Sequence, residues 1–544
     1  MTKLGKFVFT VILLAMLAFG LSRWWPKLAP NHPSTQTAAD NDAETKTVPT
    51  ETQVPHLAPS APYTPKDNTL DVEISEYAGY AGLIAANGGL DPSDTSLFQQ
   101  KYGFKVRLKV SEEESWSALN AGKMAASATT VDVLAVYGKQ FGVVVPAQIG
   151  FSRGADGIVV RSELKRINDL KGKILAASQF TEAEFFIRYL AQEAGLGVAT
   201  LPDLKAAPEP DKLNLVFCKD AFEAGDLFLD HVKSGGPLAG CVTWEPKTSE
   251  VVRQSGGKAT TLATNRNLLI IGDILVVNRG FAQQQPKMVE GLVAGLLEGN
   301  RMVRDNPAPH LDLVGRAFKW DREKTRAELA KVHLANLPEN LAFFSGAIDA
   351  AGSFGGIYQS AVYAYGTSFI QNPVDAEKFV DLAHLKTLEQ TGAFKEQKVA
   401  IAPIRSAGAP TVESDPLLSK NIRFLFQPNS AVLDLNNQSN QSSLEDIRRL
   451  LQVSPGSTIL LRGHVDRSRV EEFRKQGGEG YVRQMALRAV SFSKERAAEI
   501  KRLLEQQKKI DPARLDIVGR GWEEPLGGNH DDDRRVEAQW FTLE

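Results

Sequence analysis

The chain has 544 residues, 24% charged and 43% hydrophobic, with a formal net charge of −2. That length exceeds one ordinary core and implies two or more domains, and the near-zero charge lacks the basic excess of a nucleic-acid binder. The only cysteines, Cys218 and Cys241, exclude a disulfide framework or a CxxC metal site and leave one disulfide or two buried thiols open.

Lys3 and Lys6 precede the uncharged stretch FVFTVILLAMLAFGL, which Arg23, Trp24, Trp25 and Lys27 follow. A basic start, an apolar run and an aromatic-basic belt predict an uncleaved inner-membrane anchor over residues 1–27. A cleaved signal, with Ala18-Phe19-Gly20 as its best site, is the alternative. Either places the remainder outside the cytoplasm. Residues 28–69 are mostly Pro, Thr, Ala, Ser and Asp and bury too little apolar surface to offset ordering, which predicts a flexible linker. Fully extended, forty such residues reach on the order of 130 Å.

From 70 to 395, short apolar runs alternate with amphipathic stretches. GIVV (157–160), KILAAS (173–178), LNLVFC (213–218), AGCVTW (239–244) and LIIGDILVV (269–277) read as buried strands. EAEFFIRYLAQEAG and AFEAGDLFLDHVKS between them read as helices, which implies βαβ units in a largely parallel sheet. KTRAELAKVHLANL and DAEKFVDLAHLKTLEQTG then read as helical. RSAGAPTVESDP marks a second linker, 396–418. In the last segment, 419–544, NIRFLFQP alternates as a strand, and Ser442 to Glu445 reads as a capping box opening a helix. STILLRGHV, SKERAAEIKRLLEQQ, RLDIVGRGW and RRVEAQWFT complete a βαβαββ order, a split α+β sandwich.

This last segment resembles the OmpA-like peptidoglycan-binding domain. FQPNSAVL (426–433), Gly463-His464-Val465-Asp466, the helix-start motif ending in Arg496-Ala497, Gly519 to Pro525 and Asp533-Arg534-Arg535-Val536-Glu537 follow the family order. The resemblance implies recognition of a diaminopimelate residue of peptidoglycan through Asp466 and Arg496, with Arg534 or Arg535 as a further basic contact. The chemistry is apt, since a zwitterionic end needs a carboxylate for its ammonium and a guanidinium fork for its carboxylate. Val465, Ala489 and Asp533 replace a Thr and two Asn of the motifs, and the loop RKQGGEGY lengthens the Asp466–Arg496 separation. His464 reads as a neighbour of Asp466 that hydrogen-bonds a loop backbone, and a metal site is not expected.

Residues 70–395 resemble periplasmic substrate-binding proteins of the nitrate/sulfonate/taurine ABC-transporter type, through phrases such as EISEYAGYAGLIAANGGL, VTWEPKTSEV and SRGADGIVVRSELKRINDLKGKILA. The resemblance implies an α/β two-lobed periplasmic-binding-protein fold plus the C-terminal α+β domain. Lobe 1 spans 70–155 and 272–395, and lobe 2 spans 156–271. Positions where strands end and helices begin nominate Tyr77, Tyr80, Ser152, Asp156, Thr181, Asp220, Trp244 and Glu245 as solute contacts. Thr181 with Glu184 also reads as a capping box. Asp156, Glu182, Asp220 and Glu245 make an anion a poor ligand and favour a polar solute that is amine-bearing, zwitterionic or neutral. No HExxH or P-loop is present, and no enzyme activity, cofactor or metal is expected. The expectation is a Gram-negative periplasmic protein anchored in the inner membrane and tethered to peptidoglycan. It binds a small-molecule solute and works with an inner-membrane permease or sensor. A scaffold or sensor subunit with a degenerate cleft is the alternative.

Overall fold

A strand that leaves one lobe and a strand that returns to it run in opposite directions, and this dictates much of the sheet order. In a computed structural model, residues 46–541 are described except 112–114, 348–351, 402–415, 423, 427–429, 455 and 528–529. The expected anchor (1–27) and the first part of the linker (28–45) lie outside the described residues. Among those described, no helix is long and apolar enough to cross a membrane.

Two α/β sheets make the two lobes. The first orders its strands Val332–Leu334, Val143–Ser152, Gly272–Asn278, Ala126–Thr130, Thr69–Ile74 and Lys105–Val110. The second orders Thr47–Val48, Lys212–Cys218, Ile174–Ser178, Leu238–Trp244, Asp156–Arg161 and Ala259–Thr264, with Gly197–Thr200 also paired to Lys212–Cys218. The chain crosses out through Arg153-Gly154-Ala155, where Gly154 takes φ 111°, and returns through residues 265–271. Only part of each sheet is parallel, which corrects the largely parallel sheet expected. Gly272–Asn278 and Asp156–Arg161 are antiparallel to both of their neighbours. These strands follow the crossings directly, without a helical crossover to restore a parallel direction.

The apolar runs form buried strands because both faces are covered. The Ala221–Ser234 helix starts at Asp220, whose carboxylate accepts from the Glu223 N–H at 2.8 Å, and ends at Gly235 with φ 81°. The Thr181 capping box does not form. Thr181 Oγ1 donates to the Ser178 carbonyl (3.1 Å), and Glu184 accepts from the Phe180 N–H (2.7 Å). The helix expected over 324–337 stops at Leu329, because Val332–Leu334 pairs with the edge of the first sheet. Cys218 and Cys241 are buried free thiols.

The expected linkers need correction at their described ends. Thr47–Val48 pairs with Lys212–Cys218, the Thr50 hydroxyl donates to the Leu201 carbonyl (2.6 Å), and Tyr63 is buried in the first lobe. Residues 46–69 therefore form an extended strap across both lobes, holding their backbone polar groups on the domain surface. Likewise the Ala400 N–H reaches Glu339 (2.9 Å), and Leu417 is buried.

In the C-terminal domain the sheet order is Leu418–Ile422, Val536–Phe541, Thr458–Gly463, Leu515–Gly519. Its first helix, Gln438–Val453, is capped by Asn437, one turn before the expected box, so Ser442 and Glu445 lie inside it. Glu445 is instead paired with Arg448 and Lys508. RKQGGEGY is not an extended loop: it holds the end of one helix and the start of the next within Val470–Lys508, broken by the non-helical pair Gly477-Gly478. Gly463 and Gly519 face each other on parallel strands beneath this helix. A Cβ at Gly463 would lie 2.0 Å from the Ser493 carbonyl oxygen, and one at Gly519 2.2 Å from that of Val490. Both glycines are thus required by close helix–sheet approach.

The domain docks on the second lobe. The Ile167 N–H donates to the Leu417 carbonyl (3.0 Å), and the Asn168 amide both donates to and accepts from the Ser419 backbone (3.0 and 2.9 Å). Arg449 reaches Glu193 at 2.7 Å, with Lys420 at 3.7 Å. Glu193 ends the Glu182–Glu193 helix, whose other end faces the interlobe cleft.

Candidate functional site

Strand ends of both sheets enclose a cleft with about 690 Å³ of empty space, open to solvent. Tyr77, Tyr80, Asp156, Thr181, Asp220 and Trp244 line it, as does Glu182. Ser152 stands behind the surface, its buried hydroxyl bonded to Asp156. Glu245 points away, accepting from Lys331 (2.8 Å) and Ser249 (3.0 Å). Tyr77 and Tyr80 meet edge to face at 5.2 Å, and Trp244 lies 5.4 Å from the Phe222 ring.

Sequence reasoning missed Glu73, Trp116, Thr129 and Asp273, which also line the cleft. The signal for Asp273 was available: it is the single charge in the run LIIGDILVV. Asp273 accepts from the Tyr77 hydroxyl at 3.2 Å. Asp156 accepts from Ser152 and from the Asn265 amide (3.2 Å), while Asn265 also takes the Gly154 N–H (2.8 Å). Asp132, fully buried in the first turn of the Val131–Tyr137 helix, completes a set of three. Among the described residues, no Lys, Arg or His forms an ion pair with Asp132, Asp156 or Asp273.

Burial dominates the electrostatics. It pushes the Asp132 carboxyl up to about 7 and Asp156 up to about 6. Burial, and then the field of Asp156, raises Asp273 well above the carboxylate range. Tyr77 is raised too, by burial and then by Asp273 and Asp156. Glu73 accepts from Lys109 (3.2 Å) and from the Ser115 hydroxyl (2.9 Å).

In the C-terminal domain, Asp466 leaves the sheet just after Gly463. It accepts from the Ser468 N–H (3.0 Å) and hydroxyl, and Arg534 lies 3.5 Å away. Against its burial, these groups hold Asp466 below its ordinary range. The Arg496 guanidinium sits over the rings of Phe426 (4.8 Å) and Phe492 (4.5 Å), and its Nε donates to the Ser430 carbonyl (3.4 Å). Asp466 and Arg496 form no ion pair with each other. Arg535 turns inward instead, buried against the Glu524 carbonyl and Glu537. Asp466, Arg496 and Arg534 therefore share one region, and Arg535 does not join them.

His464 is 2% exposed, and neither ring nitrogen has a hydrogen-bond partner among the described residues. Only its backbone N–H bonds a loop, to the Arg535 carbonyl (2.9 Å), so the side-chain bond expected for it is not made. Burial, and then Arg535, Arg462 and Arg520, lowers its pKa to about 3. Asp533, which replaces a motif Asn, accepts the Leu526 N–H (2.8 Å) and secures the closing loop. No cluster of three metal-ligating side chains is present among the described residues.

Residues 425–539 match the OmpA family. The C-terminal segment is an OmpA-family domain. Its Gly463-His464-Val465-Asp466 turn and Arg496 helix are the parts described above. The rest of the chain is similar to solved periplasmic binding proteins. The alkanesulfonate-binding protein SsuA from Xanthomonas axonopodis pv. citri, bound to MOPS, is 15% identical with a TM-score of 0.43, covering 58% of this chain and 99% of that one. The aliphatic sulphonate binding protein SsuA from Escherichia coli is 16% identical with a TM-score of 0.44, covering 58% and 97%. The nitrate-binding protein NrtA from Synechocystis PCC 6803 is 14% identical with a TM-score of 0.42, covering 60% and 90%. No curated protein matches the chain.

Proposed function

We propose that the chain is a non-enzymatic periplasmic protein that binds a small polar solute between its lobes and attaches to peptidoglycan through its OmpA-family domain. Asp466 would take the ammonium of a diaminopimelate side chain, and Arg496 with Arg534 its carboxylate. The observation that carries the wall-binding reading is the Arg496 guanidinium, packed over two aromatic rings and ion-paired with no carboxylate among the described residues, beside Asp466. A pre-positioned guanidinium lowers the ordering cost of binding. The test is co-sedimentation with purified sacculi. Asp466→Ala and Arg496→Ala should each weaken binding at least about tenfold, as expected for loss of a charge-assisted contact. Equal binding by wild type and both variants refutes diaminopimelate recognition.

For the lobes, support comes from an interlobe cleft walled by aromatic and polar side chains. Thermal shift of the full-length protein with fractionated metabolite pools tests solute binding. A transition unmoved by every pool favours the scaffold reading instead.

A further inference from the structure

The cleft carries charge of one sign. Glu73, Asp156, Glu182, Asp220 and Asp273 line it, and among the described residues no Lys, Arg or His does. Lys109 answers Glu73 from outside the lining. Asp156 and Asp273 are 5% and 3% exposed, and their side-chain partners are all neutral: Ser152, Asn265 and Tyr77. Two buried carboxyls side by side without a cation leave the site short of positive charge.

A second observation is independent of the acids. Thr129 lines the cleft and is 3% exposed, yet its hydroxyl has no hydrogen-bond partner among the described residues. Buried hydroxyls are normally paired, so this one has capacity for a ligand group. The aromatic side chains point the same way. Tyr77, Tyr80, Trp116 and Trp244 line the cleft, and ring faces attract ammonium groups and the carbons attached to them.

We propose that the cleft binds an organic ammonium ion, its N–H or N–CH groups held by Asp273 and Asp156, with the Thr129 hydroxyl as a further acceptor and the aromatic side chains covering its carbons. This rests on the solute-binding reading above and narrows it to one ligand class. An anion would meet five carboxyl groups and no cationic side chain in the lining. A bare metal ion would leave the aromatic walls unused.

The test uses the full-length protein and isothermal titration calorimetry with defined probes. These are ethylamine, 1,4-diaminobutane and choline as chlorides, sodium ethanesulfonate and sodium nitrate as anions, and sodium and magnesium chloride as inorganic cations. At least one ammonium probe should bind saturably, with no heat from either anion. Asp273→Asn and Asp156→Asn should each weaken it tenfold or more while retaining the wild-type circular dichroism spectrum. Thr129→Val should weaken it two- to tenfold. Three outcomes overturn the proposal: an anion binding in place of every ammonium, magnesium binding as tightly as the best ammonium, or unchanged affinity in both Asp variants. Silence from the whole ammonium set also overturns it. The metabolite-pool shifts then separate the two readings: a pool that still moves the transition leaves solute binding standing, and none doing so removes both.

Discussion

Replacing Asp132 by Asn tests whether the buried acids of the cleft region act as the geometry requires. Asp132 is fully buried, and burial raises its pKa from 3.8 to about 7. Between these values the folded chain holds a proton that the unfolded chain has released, so stability falls as pH rises through this window. Below the unfolded pKa both states are protonated and the contribution is fully present. Above the folded pKa it is lost. A rise of roughly three units corresponds to about 4 kcal/mol. Asp156, raised to about 6, adds to the same trend, but its charge is one source of the Asp132 shift, so the two are not additive. Asp132→Asn keeps the volume and removes the titration. It should therefore raise the melting temperature of the lobes more at pH 8 than at pH 5. Scanning calorimetry of both proteins at the two pH values reads the difference, with the C-terminal transition as internal reference where it separates. The same difference in melting temperature at pH 5 and pH 8 would refute the account.

Three further substitutions probe other parts. Gly463→Ala drives a Cβ to 2.0 Å from the Ser493 carbonyl, so it should cost at least about 2 kcal/mol by forcing helix and sheet apart. Urea denaturation measures this, and an unchanged midpoint refutes the packing argument. Arg449→Ala leaves Glu193, whose side chain is 1% exposed, with only Lys420 at 3.7 Å. A cost of about 2 kcal/mol is expected, read as faster protease cleavage between the second lobe and the C-terminal domain; cleavage at the wild-type rate would count against the docking. His464→Leu removes a buried imidazole whose lowered pKa destabilises the fold increasingly as pH falls below 6.5. The variant should gain stability relative to wild type from pH 6.5 towards pH 4, measured by melting temperature. A gain that does not grow on acidification refutes neutral burial.

What was legible in the sequence follows from which interactions are local. Apolar runs such as KILAAS and LNLVFC declared buried strands because both faces are covered, and Ala221–Ser234 declared itself through period and cap. Local text cannot reveal strand direction, which here depends on where the chain crosses between lobes. It could not reveal that residues 46–69 lie along the surface either, because a composition rich in Pro and Thr suits a pinned strap as well as a free linker. At the cleft, helix and strand boundaries brought out Tyr77, Tyr80, Asp156, Thr181, Asp220 and Trp244, since ligands meet element ends. Ser152 and Glu245 share those ends but turn to other partners, Asp156 and Lys331. Asp273 was missed for the opposite reason: an acid inside an apolar strand was read as part of the strand. Such a residue has no business in a buried run unless something outside the local sequence accommodates it. Here a neighbouring tyrosine supplies one hydrogen bond, no side-chain cation among the described residues supplies the balance, and the cleft opens beside it. A lone charge within a run of nine residues thus marks a site more sharply than any of the polar residues at the element ends.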